Sequence, residues 1–191
     1  MQRQEKGEFG YMAYRKKMNL IKMLAAFGIV IAVFVAGLIA FKTRNNILTV
    51  LSIVLVLPAA KMAVGYFVLL PHKSASSKLY EKTEQAASNL GRCYDLIVSN
   101  AKSPIGTLAV VVSDTSVCAF TQEEKADKAL FEKSMCDFMK NDGLNVSVTL
   151  YKDEKSFISR ARSLNSNFEN DDLSKAAKRD KNMDSLKSMC L

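Results

Sequence analysis

Lys61 is the residue whose type and setting most demand chemistry, because it stands inside an apolar run, Ile47 to Leu70, that contains no Asp or Glu. An ammonium group at mid-bilayer depth needs a carbonyl, a water, a lipid phosphate or an acid on another chain, and such a residue is a functional candidate by default. Pro58, three residues earlier, removes an amide donor and frees a carbonyl one turn back, so a kink is expected at Leu57-Pro58-Ala59-Ala60-Lys61. A helical side chain leans toward its own N-terminus, which turns Lys61 away from the nearer end of the run and makes snorkelling awkward.

Other chemistry is sparse. Cys93, Cys118, Cys136 and Cys190 are scattered with no CxxC pair, and His72 is the only histidine, so neither a zinc cage, a dithiol pair nor a Ser-His or Cys-His scheme is indicated. There is no Walker loop and no Gly-rich dinucleotide turn. No cofactor and no metal are expected, the thiols suit a reducing compartment, and a binding or scaffold role is favoured over an enzymatic one. Asn145-Val146-Ser147 matches a glycosylation sequon by letter only, since it falls in a strand expected in the cytoplasm.

The elements that position Lys61 are two apolar runs, Met23 to Phe41 and Ile47 to Leu70, each long enough to span a bilayer at about 1.5 Å per helical residue. The short connection between them forces an antiparallel hairpin. Gly28, Ala32, Ala36 and Ala40 line small side chains at four-residue spacing, a face expected to pack on the second helix, where Ser52, Ala59, Ala63 and Gly65 are also small. Self-association through the same stripe, giving a homo-oligomer, is the alternative. Tyr11, Tyr14, Arg15, Lys16 and Lys17 suit the headgroup layer as interfacial anchors, and Met1 to Gly10 reads as a mobile polar flank.

The +8 net charge is concentrated near the apolar runs: residues 1–22 carry six Lys/Arg against two Glu, while everything after Lys61 has 18 basic and 17 acidic side chains. A nearly neutral remainder is a poor match to polyphosphate, so no nucleic-acid partner is expected. Cations flank both outer ends, with Arg15, Lys16, Lys17 and Lys22 before the hairpin and Lys73, Lys78 and Lys82 after it, against Lys42 and Arg44 in the connection. That bias predicts a multi-pass protein of the cell membrane with both termini cytoplasmic, the lipid bilayer and a protein being its partners. A cleaved signal peptide is disfavoured by the long charged leader and the lack of a small-x-small site before Phe41.

The expected organisation is a basic flank over 1–22, a transmembrane hairpin over 23–71, a hinge over 72–77 and a soluble α/β domain over 78–191. In that domain Leu79, Thr83, Ala86 and Leu90 predict a helix stopped by Gly91. Strands follow at Cys93 to Ser99, Thr107 to Ser113 and Val117 to Phe120, divided by turns at Ser103 to Gly106 and Asp114 to Ser116. Thr121 with Glu124 forms a capping-box pattern opening a helix that ends at Asn141-Asp142-Gly143. Leu144 to Tyr151 alternates as a strand, Phe157 to Leu164 predicts a helix, and Asp171 to Met189 a last, charged one. The fold class is therefore a two-helix hairpin plus a mixed-sheet α/β domain of order αβββαβα, whose fragment from Ser76 to Leu191 is expected to fold alone.

The element order over Lys78 to Tyr151 resembles the core of the PD-(D/E)xK nucleases. That resemblance implies an acid on the second strand and a (D/E)xK pair on the third, yet Val117-Cys118-Ala119-Phe120 has neither acid nor lysine, and Asp114 reads as a turn former. A degenerate, metal-independent domain of that kind, or an accessory subunit of a membrane transporter, are the alternatives to a scaffold. The hairpin, from Lys42-Thr-Arg-Asn-Asn through Leu57-Pro58-Ala59-Ala60-Lys61 to Leu70-Pro71-His72-Lys73-Ser74, resembles a group of uncharacterised two-span proteins of Gram-positive bacteria. Some of these carry the label "O-linked GlcNAc transferase-like". With no DxD, nucleotide-sugar loop or repeat array here, that activity is not carried over.

Overall fold

The computed structural model describes residues 5–41, 47–98, 104–168 and 173–190. The Lys42 to Asn46 connection, the Ser99 end of the first strand, Ser103 and Asp171 lie outside them. The chain divides into two compact units: Met12–His72, and a second unit that joins the segment ending at Tyr11 to everything from Lys73 onward.

The first unit holds α1 (Tyr11–Phe41) and α2 (Ile47–Leu69), both long and apolar enough to cross a membrane. Three pairings show that they run antiparallel. Lys16 Nζ donates to the Leu70 carbonyl at 3.1 Å, Asn19 donates to the Gly65 carbonyl at 3.3 Å, and Val30 lines one cavity with Ser52 and Val56. Met12, Lys16, Asn19, Met23, Ala26, Val30, Val33 and Gly37, each buried or half-buried, form a line on α1 at alternating steps of four and three. Ser52, Leu55, Ala59, Ala63, Tyr66 and Leu69 form the matching line on α2. A mean step of about 3.5 residues is the seam period of left-handed helix pairs.

The second unit is a sheet covered on both faces. Strands β1 (Gly91–Val98), β2 (Ile105–Val112), β3 (Ser116–Phe120) and β4 (Ser147–Tyr151) lie in the order β1-β2-β3-β4. The first two pairings are antiparallel and β3 pairs β4 in parallel, the connection between them being α4 (Lys128–Asn141). Helices α3 (Ser77–Ala86) and α5 (Glu154–Ser166) cover one face, with Leu79, Phe120, Phe157 and Ala161 at its core. On the other face α4 and α6 (Leu173–Met189) pack Phe131, Met135, Met139 and Leu186 against Val110, Val112 and Val117. Cover on both sides explains why β2 reads as an uninterrupted apolar run, all eight of its residues being buried.

Local chemistry sets the ends. The Ser76 hydroxyl accepts from Leu79 N–H, Asp127 from Leu130 and Asp153 from Ser156, three side-chain caps at helix starts. Thr121 is not one. Its hydroxyl donates to the Gly106 carbonyl at 2.7 Å and accepts from Glu123 N–H, so the expected capping box is taken up in joining β2 to β3, and α4 starts at Lys128. Gly91 is likewise the first residue of β1 and not a helix stop, α3 having closed on Ala87. Gly143 has φ +73°, a left-handed position that glycine reaches without strain, and it follows α4 as expected. Ile105 and Gly106 belong to β2 and not to a turn. The Asp114 turn is present, its carbonyl and that of Ser113 held by the buried Asn182 amide at 3.0 and 2.9 Å.

Candidate functional site

The α/β unit is organised around a residue that strand periodicity passes over. Asp95 sits in the middle of β1 at φ +54°, fully buried. Its neighbours Tyr94 and Leu96 pair with Ala109 and Thr107, so the ladder is interrupted there without a change of register. Side-chain alternation inverts at the same point: Cys93 and Leu96 face the α4–α6 core, and Tyr94 faces the α3–α5 core. The interruption frees the carboxylate to gather the two chain passages that flank the hairpin. Oδ2 accepts from Gly10 N–H at 3.0 Å and from the Ser74 hydroxyl, and Oδ1 accepts from Ala75 N–H at 2.7 Å. Charge-assisted bonds of this kind are the stronger class in a protein interior.

The described part of the N-terminal flank, residues 5–10, is therefore docked where the sequence suggested mobility. Tyr94 N–H donates to the Gly7 carbonyl at 2.8 Å, the Phe9 ring packs tilted at 4.7 Å from that of Tyr80, and Lys6 Nζ donates to the carbonyls of Lys187 (3.0 Å) and Cys190 at the end of α6. A cation against the last carbonyls of a helix is favourable on both hydrogen-bond and dipole grounds. Gly7 is required as glycine: its φ is +92°, and a Cβ there would meet Cys93 Sγ at 3.3 Å.

Burial tunes the thiols beneath this strap. Desolvation pushes Cys93 up to about 11 and Cys190 up to about 12 from 9.0, with Lys187 and Lys6 respectively opposing it. Cys118 is raised for the same reason, against the opposing Arg160 guanidinium. Neutral buried thiols are poor nucleophiles, and all four cysteines are free, with Cys136 half-buried. Because the folded state holds Cys93 and Cys190 neutral, their contribution is complete below the unfolded value near 9 and is lost as pH rises toward 11 and 12. Urea midpoints of the full chain in detergent should hold to pH 8.5 and fall steeply above it. Cys93→Ala, less stable at pH 7.5, should show the shallower alkaline slope.

In the hairpin, Lys61 and Pro58 are both exposed on α2, which stays helical through the proline. Among the described residues Lys61 has no hydrogen-bond or ion-pair partner. Gly28, Ala32, Ala36 and Ala40 face outward, and nothing approaches a Cβ built on Gly28 within 4 Å. The face expected to meet α2 is thus displaced. A strict four-residue stripe advances about 40° per step around a helix and cannot follow a 3.5-residue seam. On α2 the expectation holds better, with Ser52 and Ala59 buried and Ala63 and Gly65 half-buried. Of the anchors, Lys17 is exposed, Tyr11, Tyr14 and Arg15 are half-buried, and Lys16 is engaged with the Leu70 and His72 carbonyls at the end of α2.

Among the described residues no group of three His, Cys, Asp or Glu converges as a metal site would require. Among the described residues, the α/β unit carries open surface grooves, one of about 580 Å³ over Lys155, Ser156, Ser159, Arg160 and Ser163 of α5. An acid inside the otherwise apolar run Cys93 to Val98 was the available sign of Asp95, since a buried strand tolerates a carboxylate only with donors waiting. No protein-family model, no curated protein and no solved structure matches the chain.

Proposed function

We propose that the chain is an integral membrane protein whose hairpin crosses the bilayer twice, with both termini cytoplasmic, and whose small α/β domain binds a protein partner without catalysing a reaction. The observation that carries this reading is uncovered apolar surface. In the most apolar 18 residues of α1 and α2 only 6% and 11% are buried, and Ile39, Ile47 and Leu57 are 73%, 76% and 73% exposed. Patches of that extent belong against lipid or protein, not water. The composition of the second unit supports the topology: its strap precedes α1 and the rest follows α2, so both flanks share one side of any membrane the helices cross. The Lys/Arg bias selects the cytoplasmic side.

Thiol labelling tests the orientation, provided the right thiol is read. Cys93, Cys118 and Cys190 are buried and would stay silent on either side, so Cys136 and an added Ser159→Cys on the exposed face of α5 are the reporters. An impermeant maleimide should label them only after the cells are permeabilised. Labelling in intact cells reverses the orientation, and release of the chain by alkaline carbonate removes the insertion.

The observed order α3 β1 β2 β3 α4 β4 favours one second reading, a nuclease-like domain without its metal site. Binding to duplex DNA with a steep salt dependence would support it over the scaffold.

A further inference from the structure

We infer that the Lys61 face of α2 docks a transmembrane helix of another protein that carries an Asp or Glu at the same depth. The inference rests on the membrane reading above. Val50, Val54, Leu57, Lys61, Val64 and Val68 recur at alternating steps of three and four, a second seam whose members are all exposed and none of which belongs to the seam facing α1. β-branched and Leu side chains at that period suit knobs-into-holes contact, and a single polar member of such a seam fixes register and partner. Charge decides what the partner must supply.

Lys61 lies eight residues before Leu69, roughly 12 Å of helix from the end of α2, and its side chain leans the other way. It leans toward Pro58 and Val54. Proline denies the Val54 carbonyl its donor, and Val54 and Lys61, seven apart, share one face. The Val54 carbonyl is thus an acceptor freed on the Lys61 face, while Lys61 itself has no hydrogen-bond partner among the described residues. Residues 11–72 contain no Asp or Glu, so neither the hairpin nor a second copy can neutralise the charge. An acid presented from a different chain can. The pair it forms is shielded from water, where hydrogen-bonded polar contacts between helices hold register.

The test reconstitutes the full chain, donor-labelled, in phosphatidylcholine vesicles with acceptor-labelled 23-residue Leu/Ala spanning peptides. These carry Glu, Gln or Leu at the centre, and energy transfer is the readout. The Glu peptide should bind roughly tenfold more tightly than the Gln peptide. Lys61→Leu should erase that preference, Lys61→Arg should keep it, and both variants should insert as judged by protease protection. Equal binding of Glu and Gln peptides, or a preference that survives Lys61→Leu, overturns the docking. A preference abolished by adding phosphatidylglycerol assigns Lys61 to lipid phosphate and overturns it too. A chain that fails to insert sinks the membrane reading as well, whereas one that inserts without acid preference sinks the docking alone.

Discussion

Replacing residues 12–72 with a short Gly-Ser bridge will leave a soluble domain that melts cooperatively, while the fragment from Ser76 to Leu191 will melt at least 10 °C lower. The bridge is feasible because Gly10 N–H and the Ser74 hydroxyl meet the same Asp95 oxygen. They therefore lie within about 6 Å, a gap two or three residues close. The short fragment loses the strap and with it the Gly7, Phe9 and Lys6 contacts, as well as the Gly10, Ser74 and Ala75 bonds to Asp95. A loss of about 3 kcal/mol moves the midpoint of a domain this size by roughly 10 °C. Circular dichroism melts of the two proteins, side by side, decide it. Equal midpoints would mean that the strap is decoration on a domain complete without it.

Asp95→Ala will cost about 3 to 5 kcal/mol, the largest effect expected of any single polar substitution here, because it leaves the buried Ala75 N–H and the part-buried Gly10 N–H without an acceptor. Alanine is also strained at φ +54°, whereas asparagine tolerates that region. Asp95→Asn should therefore lose about half as much, keeping one acceptor and the backbone conformation. Urea unfolding of the bridged domain measures both. A loss under about 1 kcal/mol for alanine would place the coupling of the two flanks elsewhere.

The hairpin and the succession of strands and helices were legible because they rest on periodicity, which a single sequence displays. Strand starts moved by one to three residues, and α4 began late, because Thr121 had a better use for its hydroxyl at the Gly106 carbonyl than at a helix start. Asp95 was missed because its donors, Gly10, Ser74 and Ala75, lie 85, 21 and 20 residues away. No local pattern encodes a contact of that span. The small-residue stripe was misplaced for a different reason: in a wholly apolar helix nearly every face looks packable, and the register of the partner decides which one packs. Lys61 needed no register to be noticed, since a lone charge in such a run stands out on any face.

The reach of Lys6 to the Lys187 and Cys190 carbonyls spans more than 180 residues and sets an order of events during synthesis. The strap leaves the ribosome before both apolar helices, but its binding groove does not exist until β1, β2 and the last turn of α6 have followed. Both apolar helices are made in that interval, while the strap is still unbound and the domain is still incomplete. Closure comes last, by a segment made before either apolar helix. A chain cut short before Cys190 lacks that latch.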